Sequence, residues 1–207
     1  MAVISNGTTI ADAGAFSASL GSLVLIKTLT ASSSATLSFV DGASSVVLDN
    51  TYPIYLFKFI NIHGATDDKK FEFQANAAGG SGYNETITTT NFQSYHREDD
   101  GANGLGYNSG YDNQQTTDHQ EISGPLSNDN DASFSGELYI FNPSDTTFVT
   151  HFMATGHGME AGTSKVSTQL HTAGYFNTTS AVDEFQFKFN SGNIDSGTVK
   201  LYGIKDS

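Results

Sequence analysis

The sequence predicts an all-β fold, an antiparallel β-sandwich of jelly-roll type with long polar loops, and three observations carry that expectation. Apolar and polar residues alternate in short runs, most clearly Phe185, Phe187 and Phe189 against Glu184, Gln186 and Lys188, and a period of two places every second side chain on one face of a strand. Phe (15 residues) and Tyr (9) supply the large apolar volume while Met (3) is scarce, a composition that favours strands over helices. Gly, Asn, Asp and Ser punctuate the runs at short intervals and give the chain places to reverse. No stretch predicts a long helix.

The 207 residues suit one large all-β domain with an ample core. The expected organisation is an N-terminal arm or first strand over residues 1–19 and a single β-sandwich domain over 20–207. In chain order, residues 20–30 (LGSLVLIKTLT) and 35–40 (ATLSFV) flank a serine-rich turn and read as a hairpin. Asp41-Gly42 turns the chain, residues 45–48 (SVVL) are β-branched and strand-like, and Asp49-Asn50 turns it again. Residues 54–62 (IYLFKFINI) form the longest apolar stretch; with apolar groups available to both faces, they fit a central strand. Residues 69–75 (KKFEFQA) alternate with Phe71 and Phe73 inward, 77–82 (AAGGSG) form a flexible turn, and the threonine-rich 86–95 fit a strand with one solvated face.

Residues 96–131 change character, rich in Gly, Asn and Asp, and so long a connection is more often functional or exposed than idle. Short strands near Tyr107 and Gln120 are expected to interrupt it. Alternation resumes at 133–141 (SFSGELYIF); Asn142-Pro143-Ser144-Asp145 turns into a strand at 146–153 (TTFVTHFM), followed by a glycine-rich loop at 154–162 and a strand at 168–176. The closing unit, residues 183–204, reads as a hairpin across the core, its two strands joined through Asn190-Ser191-Gly192-Asn193.

The formal net charge of −13 argues against nucleic acid or an anionic membrane as partner, because affinity for either rests on Lys and Arg. Charged residues make up only 15% of the chain, so neutral polar side chains must cover most of the surface. With no cysteine there is no disulfide, thiol nucleophile or thiolate metal site. The first residues lack a basic then apolar leader, and no run is long enough to span a bilayer, so synthesis and folding in a cytoplasm are expected.

Glu98-Asp99-Asp100 and Asp129-Asn130-Asp131 could offer oxygen ligands to Ca²⁺, yet neither has EF-hand spacing, and solvated turn acids are the expected reading. His151, His157 and His171 lack metal-binding spacing; His151 is expected as a partly buried, hydrogen-bonded ring on the face of Val149 and Met153. Glu72 and Glu137 are strand carboxylates that a sandwich glycosidase could set across a cleft, and no G-x-S-x-G motif is present. The expectation is therefore a non-enzyme with no catalytic residues, no metal and no cofactor. Tyr95, Tyr107 and Tyr111, with Asp112, form the candidate contact surface for a glycan or partner, tyrosine being suited to recognition.

Residues 22–42 (SLVLIKTLTASSSATLSFVDG), 55–68 (YLFKFINIHGATDD), 137–152 (ELYIFNPSDTTFVTHF) and 174–204 (GYFNTTSAVDEFQFKFNSGNIDSGTVKLYGI) resemble a family of virion structural proteins of tailed bacteriophages of marine bacteria, notably cyanophages. The resemblance covers nearly the whole chain. SGNIDSGTVKLYGI is its most specific part, and residues 96–131 and 156–169 its weakest. It implies a surface component of a phage particle, a capsid decoration or an appendage or fibre module, made in the host bacterial cytoplasm, with no catalytic residues to carry over. Expected partners are other virion proteins and further copies of the chain, a trimer above all. The alternative is a receptor-binding, lectin-like module contacting host surface glycans through residues 96–131, and a polysaccharide-degrading enzyme ranks third.

Overall fold

A computed structural model describes residues 22–205 together with three short strands ahead of them, β1 (Val3–Ser5), β2 (Thr8–Asp12) and β3 (Ala15–Phe16), which pair antiparallel in that order. The rest of the expected arm at 1–19 lies outside the described residues. From there the strands are β4 (Leu23–Ser34), β5 (Leu37–Val40), β6 (Ile54–Gly64), β7 (Phe71–Ala77) and β8 (Ile87–Arg97). The polar middle of the chain holds β9 (Asn103–Tyr107), one 3-10 turn at Ser109–Tyr111, β10 (Gln114–Thr116) and β11 (Gln120–Glu121). The expected interruptions near Tyr107 and Gln120 are there. Then come β12 (Phe134–Phe141), β13 (His151–Glu160), β14 (Val166–Phe176), β15 (Val182–Phe189) and β16 (Ile194–Ile204).

Two antiparallel sheets pack face to face. The large sheet runs β10-β8-β14-β13-β12-β6-β16-β4, with β9 also on β8, and the small sheet runs β11-β7-β15-β5. Eight of these strands nest: β4 pairs β16, β5 pairs β15, β6 pairs β12 and β7 pairs β11. Successive strands of that set alternate between sheets in the first half and return beside their earlier partners in the second. Two insertions decorate this frame, β8 to β10 between β7 and β11, and β13 with β14 between β12 and β15. They pair with each other, β14 on β8, and so widen only the large sheet.

Aromatic rings fill the space between the sheets. Phe71, Phe73, Phe185 and Phe187 from the small sheet and Phe57, Tyr55, Phe134 and Phe152 from the large one are at most 1% exposed. Phe187 is the hub. Its ring centroid lies 5.0 to 6.3 Å from those of Phe39, Phe57, Phe59, Phe71 and Phe73, a mixture of edge-on, tilted and stacked contacts of the kind that adds to simple burial. The inward placement of Phe71 and Phe73 and the central position of residues 54–62, flanked by β12 and β16, match the sequence expectation.

Four local expectations need correction. The 183–204 unit is an arch between sheets rather than a hairpin: β15 lies in the small sheet and β16 in the large one. Both strands turn their apolar faces to the same core, and the four residues 190–193 can bridge sheets roughly 10 Å apart. The same holds for residues 20–30 and 35–40, where β4 and β5 belong to different sheets. Residues 45–48 form no strand, since the Asp41 carboxylate accepts the Leu48 N–H at 2.8 Å and Val46 closes a turn on Ala43; Val46 and Leu48 still enter the core at 4% and 1% exposure.

The fourth correction concerns residues 146–162. Asp145 accepts the N–H groups of Thr147 and Phe148 at 2.5 and 3.0 Å, an Asx-type turn that delays the strand until His151. The strand then continues through the supposed glycine-rich loop to Glu160. Gly156 and Gly158 are there for clearance: a Cβ on Gly156 would sit 2.3 Å from the Phe134 ring, and one on Gly158 2.5 Å from Leu126. Glycine inside a strand marks such a close approach as readily as a turn.

Candidate functional site

The two outward faces of the sandwich differ, and each offers a candidate surface. On the large sheet the register aligns Ala173, Met153, Tyr139, Leu56, Tyr202 and Leu25 in one row across six strands. Two residues along each strand, Tyr175, His151, Phe141, Ile54, Ile204 and Leu23 form a second row on the same face. Six strands at ~4.8 Å spacing make an apolar band roughly 24 Å long. It is not a set of isolated surface residues, because Tyr139 and Phe141 stack at 6.4 Å while Met153 and Leu25 remain 55% and 52% exposed. Its end nearest β8 is concave, two adjoining hollows of about 400 and 190 Å³ sharing Met153, Thr90 and Ala173.

The small sheet is covered instead. Glu72, Gln74 and Asn76 point outward from β7 yet are only 7%, 0% and 2% exposed, because residues 79–86 and 108–119 fold over them. Two buried glutamines hold this roof. The Gln74 amide donates to the carbonyls of Glu85, Thr117 and Asp118 at 3.0 to 3.2 Å. Gln120 accepts from the Thr89 hydroxyl and the Asn113 amide and donates to the carbonyls of Tyr111 and Glu121, so its full hydrogen-bonding capacity is used. Asn108 adds a cap, accepting the Gly110 N–H at 3.1 Å and donating to Gln93 at 2.7 Å.

Between roof and sheet lies a cleft of about 530 Å³ walled by Glu72, Tyr83, Asn84, Tyr111, Asp112, Asn113, Asp118, His119 and Glu121, among others. Lys188 pairs with Glu72 at 3.3 Å, while Lys70 pairs with Glu121 at 2.7 Å and sits 4.4 Å over the Tyr111 ring. Burial shapes the protonation of the wall. It pushes the Glu72 carboxyl up, against the pull of Lys188, pushes the Tyr111 hydroxyl up, and pushes the His119 imidazole down to about 4, with the Lys188 charge adding to the last effect. At neutral pH His119 is therefore an uncharged ring and Tyr111 an intact phenol. His119 Nε2 and Asp112 Oδ1 are shielded from solvent and have no hydrogen-bond partner among the described residues.

Of the residues singled out from the sequence, Tyr111 and Asp112 line the cleft. Tyr107 is 67% exposed on β9 and reaches the cleft only through its hydroxyl, which donates to Asp112. Tyr95 is elsewhere, its ring lying against Gly104, where a Cβ would be 2.8 Å away. Glu72 and Glu137 do not share a cleft: Glu72 belongs to the small sheet's covered face, whereas Glu137 is on the large sheet, 3.7 Å from Lys58. Asp99 is engaged by Arg97 and Ser164, and Asp129 by Lys165, which hold both carboxyls below their ordinary range, the Ser164 hydroxyl acting first on Asp99.

The histidines separate in the same way. His151 is exposed on the band beside Tyr175, not half-buried as expected, because the strand face it shares with Met153 turns outward while Phe152 and Ala154 enter the core. His171 stacks on Phe92 at 4.7 Å and pairs with Thr155, and His157 pairs with Ser167. Among the described residues no three His, Asp or Glu side chains are placed to hold a metal ion. Sequence reasoning missed His119 and Glu121 in the cleft and the band as a whole. The available signal for the band was apolar residues on both parities of 54–62 and 138–141. Comparisons with family models, with curated proteins and with solved structures found no match.

Proposed function

We propose that this chain is a non-enzymatic structural component of a bacteriophage particle, a surface decoration or an appendage or fibre module that works through protein contacts. The observation that carries the reading is the apolar band on the large sheet, since contiguous exposed apolar surface of this kind marks an interaction site. The family resemblance of the sequence supports the viral setting. The nested pairing of eight strands supports reading the sandwich as a jelly roll, an architecture used by capsid and lectin domains, an analogy of fold alone. The proposed partners are neighbouring virion proteins and other copies of the chain, with a trimer as the expected assembly and the virion surface as its place.

Replacing Met153 and Leu25 together by Glu tests this, because both side chains are already more than half exposed and the fold should tolerate the change. Sedimentation of the purified chain is expected to shift from oligomer to monomer, and incorporation into particles to fall by more than about tenfold, as for central contact residues. A monomeric parent whose incorporation is indifferent to the double variant, or absence of the chain from purified particles, would overturn the reading. The cleft favours a second reading, a receptor-binding, lectin-like module on the same particle, in which the roofed face meets host surface glycans.

A further inference from the structure

We infer that the cleft on the outward face of the small sheet is a saccharide site that takes a neutral or amino-substituted hexose unit and turns away anionic sugars. This deepens the receptor-binding reading by naming the class of ligand and the residues that select it. Four observations converge. The cleft's volume, about 530 Å³, lies within the roughly 300–1,000 Å³ of small-molecule sites. Its walls combine an aromatic surface, Tyr111, with amides and carboxylates at Asn84, Asn113, Asp112 and Asp118. A pyranose presents a matching combination, an apolar C–H face and a rim of hydroxyls that both donate and accept.

The third observation is the pair of shielded polar atoms in the wall, Asp112 Oδ1 and His119 Nε2, which lack partners among the described residues. Buried polar atoms are nearly always bonded, and although both atoms are closed to solvent in the empty cleft, rotation of either side chain, each belonging to a residue of the wall, would turn it toward a ligand. One is a carboxylate oxygen, an acceptor. The other belongs to an uncharged imidazole that can donate or accept according to tautomer, which suits hydroxyl groups better than it suits an ion.

Charge supplies the fourth. Lys188 and Lys70 are occupied by Glu72 and Glu121, and among the described residues Asp112 and Asp118 have no cationic partner, the Asp118 carboxylate accepting from the Thr116 hydroxyl. The cleft is therefore negative overall, which repels sialylated or sulfated sugars and favours an ammonium-bearing one. The roof needs no ordering on binding, since Gln74 and Gln120 already hold it, and a pre-formed site loses less entropy to its ligand.

The test is a glycan array spanning neutral, amino, sialylated and sulfated glycans, probed with the purified chain and followed by calorimetry on the best ligand. Neutral or amino glycans are expected to bind. Tyr111→Ala should weaken them about tenfold or more, in the manner of an aromatic anchor, whereas Tyr111→Phe, which keeps the ring, should bind within about threefold of the parent. Asp118→Asn, a change at an exposed position, should admit anionic glycans that the parent rejects. Asp195→Asn, an exposed position on β16 outside both surfaces, should leave glycan binding unchanged. Binding confined to anionic glycans, absence of any glycan binding, or neutral-glycan binding indifferent to Tyr111→Ala would overturn the inference. Adhesion to host cells that survives Tyr111→Ala would leave the receptor-binding reading standing and remove this cleft from it.

Discussion

On the large sheet the outward side chains of β12, β13 and β14 stand bare, whereas on the small sheet those of β7 lie under two folded segments and open only into a polar cleft. Both faces rest on the same phenylalanine core, so the contrast is not one of stability but of what each face leaves for another molecule. Eleven apolar or aromatic positions aligned by register around the buried Leu56 make a surface that needs a broad partner. A few carboxylates, amides and two phenols around about 530 Å³ make one that fits a small polar group. A sandwich can thus dock with one side and sample its surroundings with the other.

The largest perturbation is the one that breaks both faces at once. Phe187→Ala removes the ring that touches five others and is expected to cost ~3–5 kcal/mol, the range for large core truncations, measured by denaturant unfolding. A smaller change should affect the roofed face alone. Gln120→Leu strips partners from the Thr89 hydroxyl, the Asn113 amide and two carbonyls, costing ~1–3 kcal/mol for buried groups left unpaired. Hydrogen exchange should then rise across residues 108–121 and stay unchanged in β13. Equal protection loss on the large sheet would show that the faces are coupled more tightly than the hydrogen bonds indicate.

The smallest effect sharpens the comparison through pH. His119 stays neutral in the folded chain down to about 4, while an unfolded imidazole protonates near ~6.5. Between those values the unfolded state holds the extra proton, so stability falls as pH drops through that window, and below it the loss is complete. Glu72 and Asp183, raised by burial, act in the opposite sense and lose stability as pH rises through their folded range. The difference between His119→Gln and the parent isolates the ring: the variant should be less acid-sensitive by about 1 kcal/mol after solvent screening of a half-buried group. An unchanged acid limb would place the ring in open solvent.

Much of this was legible in the sequence, for identifiable reasons. The inward rings at 71, 73, 185, 187 and 189 follow from a period of two that any half-buried strand obeys, and the central place of 54–62 follows from its double-sided apolar pattern. What alternation cannot specify is which sheet the next strand joins. Residues 185–189 and 198–202 would alternate identically as a hairpin or as an arch, since the same core lies inside both. Gly156 and Gly158 misled because clearance for the Phe134 ring, a contact distant in sequence, looks like turn chemistry locally. The tyrosine-rich segment announced Tyr111 and Asp112 by composition, but Glu72, His119 and Glu121 join them only through β11 pairing with β7.

The nested pairing sets an order on how this molecule can be built. β16 fills the slot between β4 and β6, so ribosomes must release residues 194–204 before two strands made some 130 to 170 residues earlier can become neighbours in a finished sheet. Until then β4 and β6 each expose an unsatisfied edge, and contacts so distant along the chain form slowly. Nascent chains stalled short of residue 194 should therefore be protease-sensitive and prone to pair with one another, and helpers that shield such edges during translation should raise the yield of folded protein.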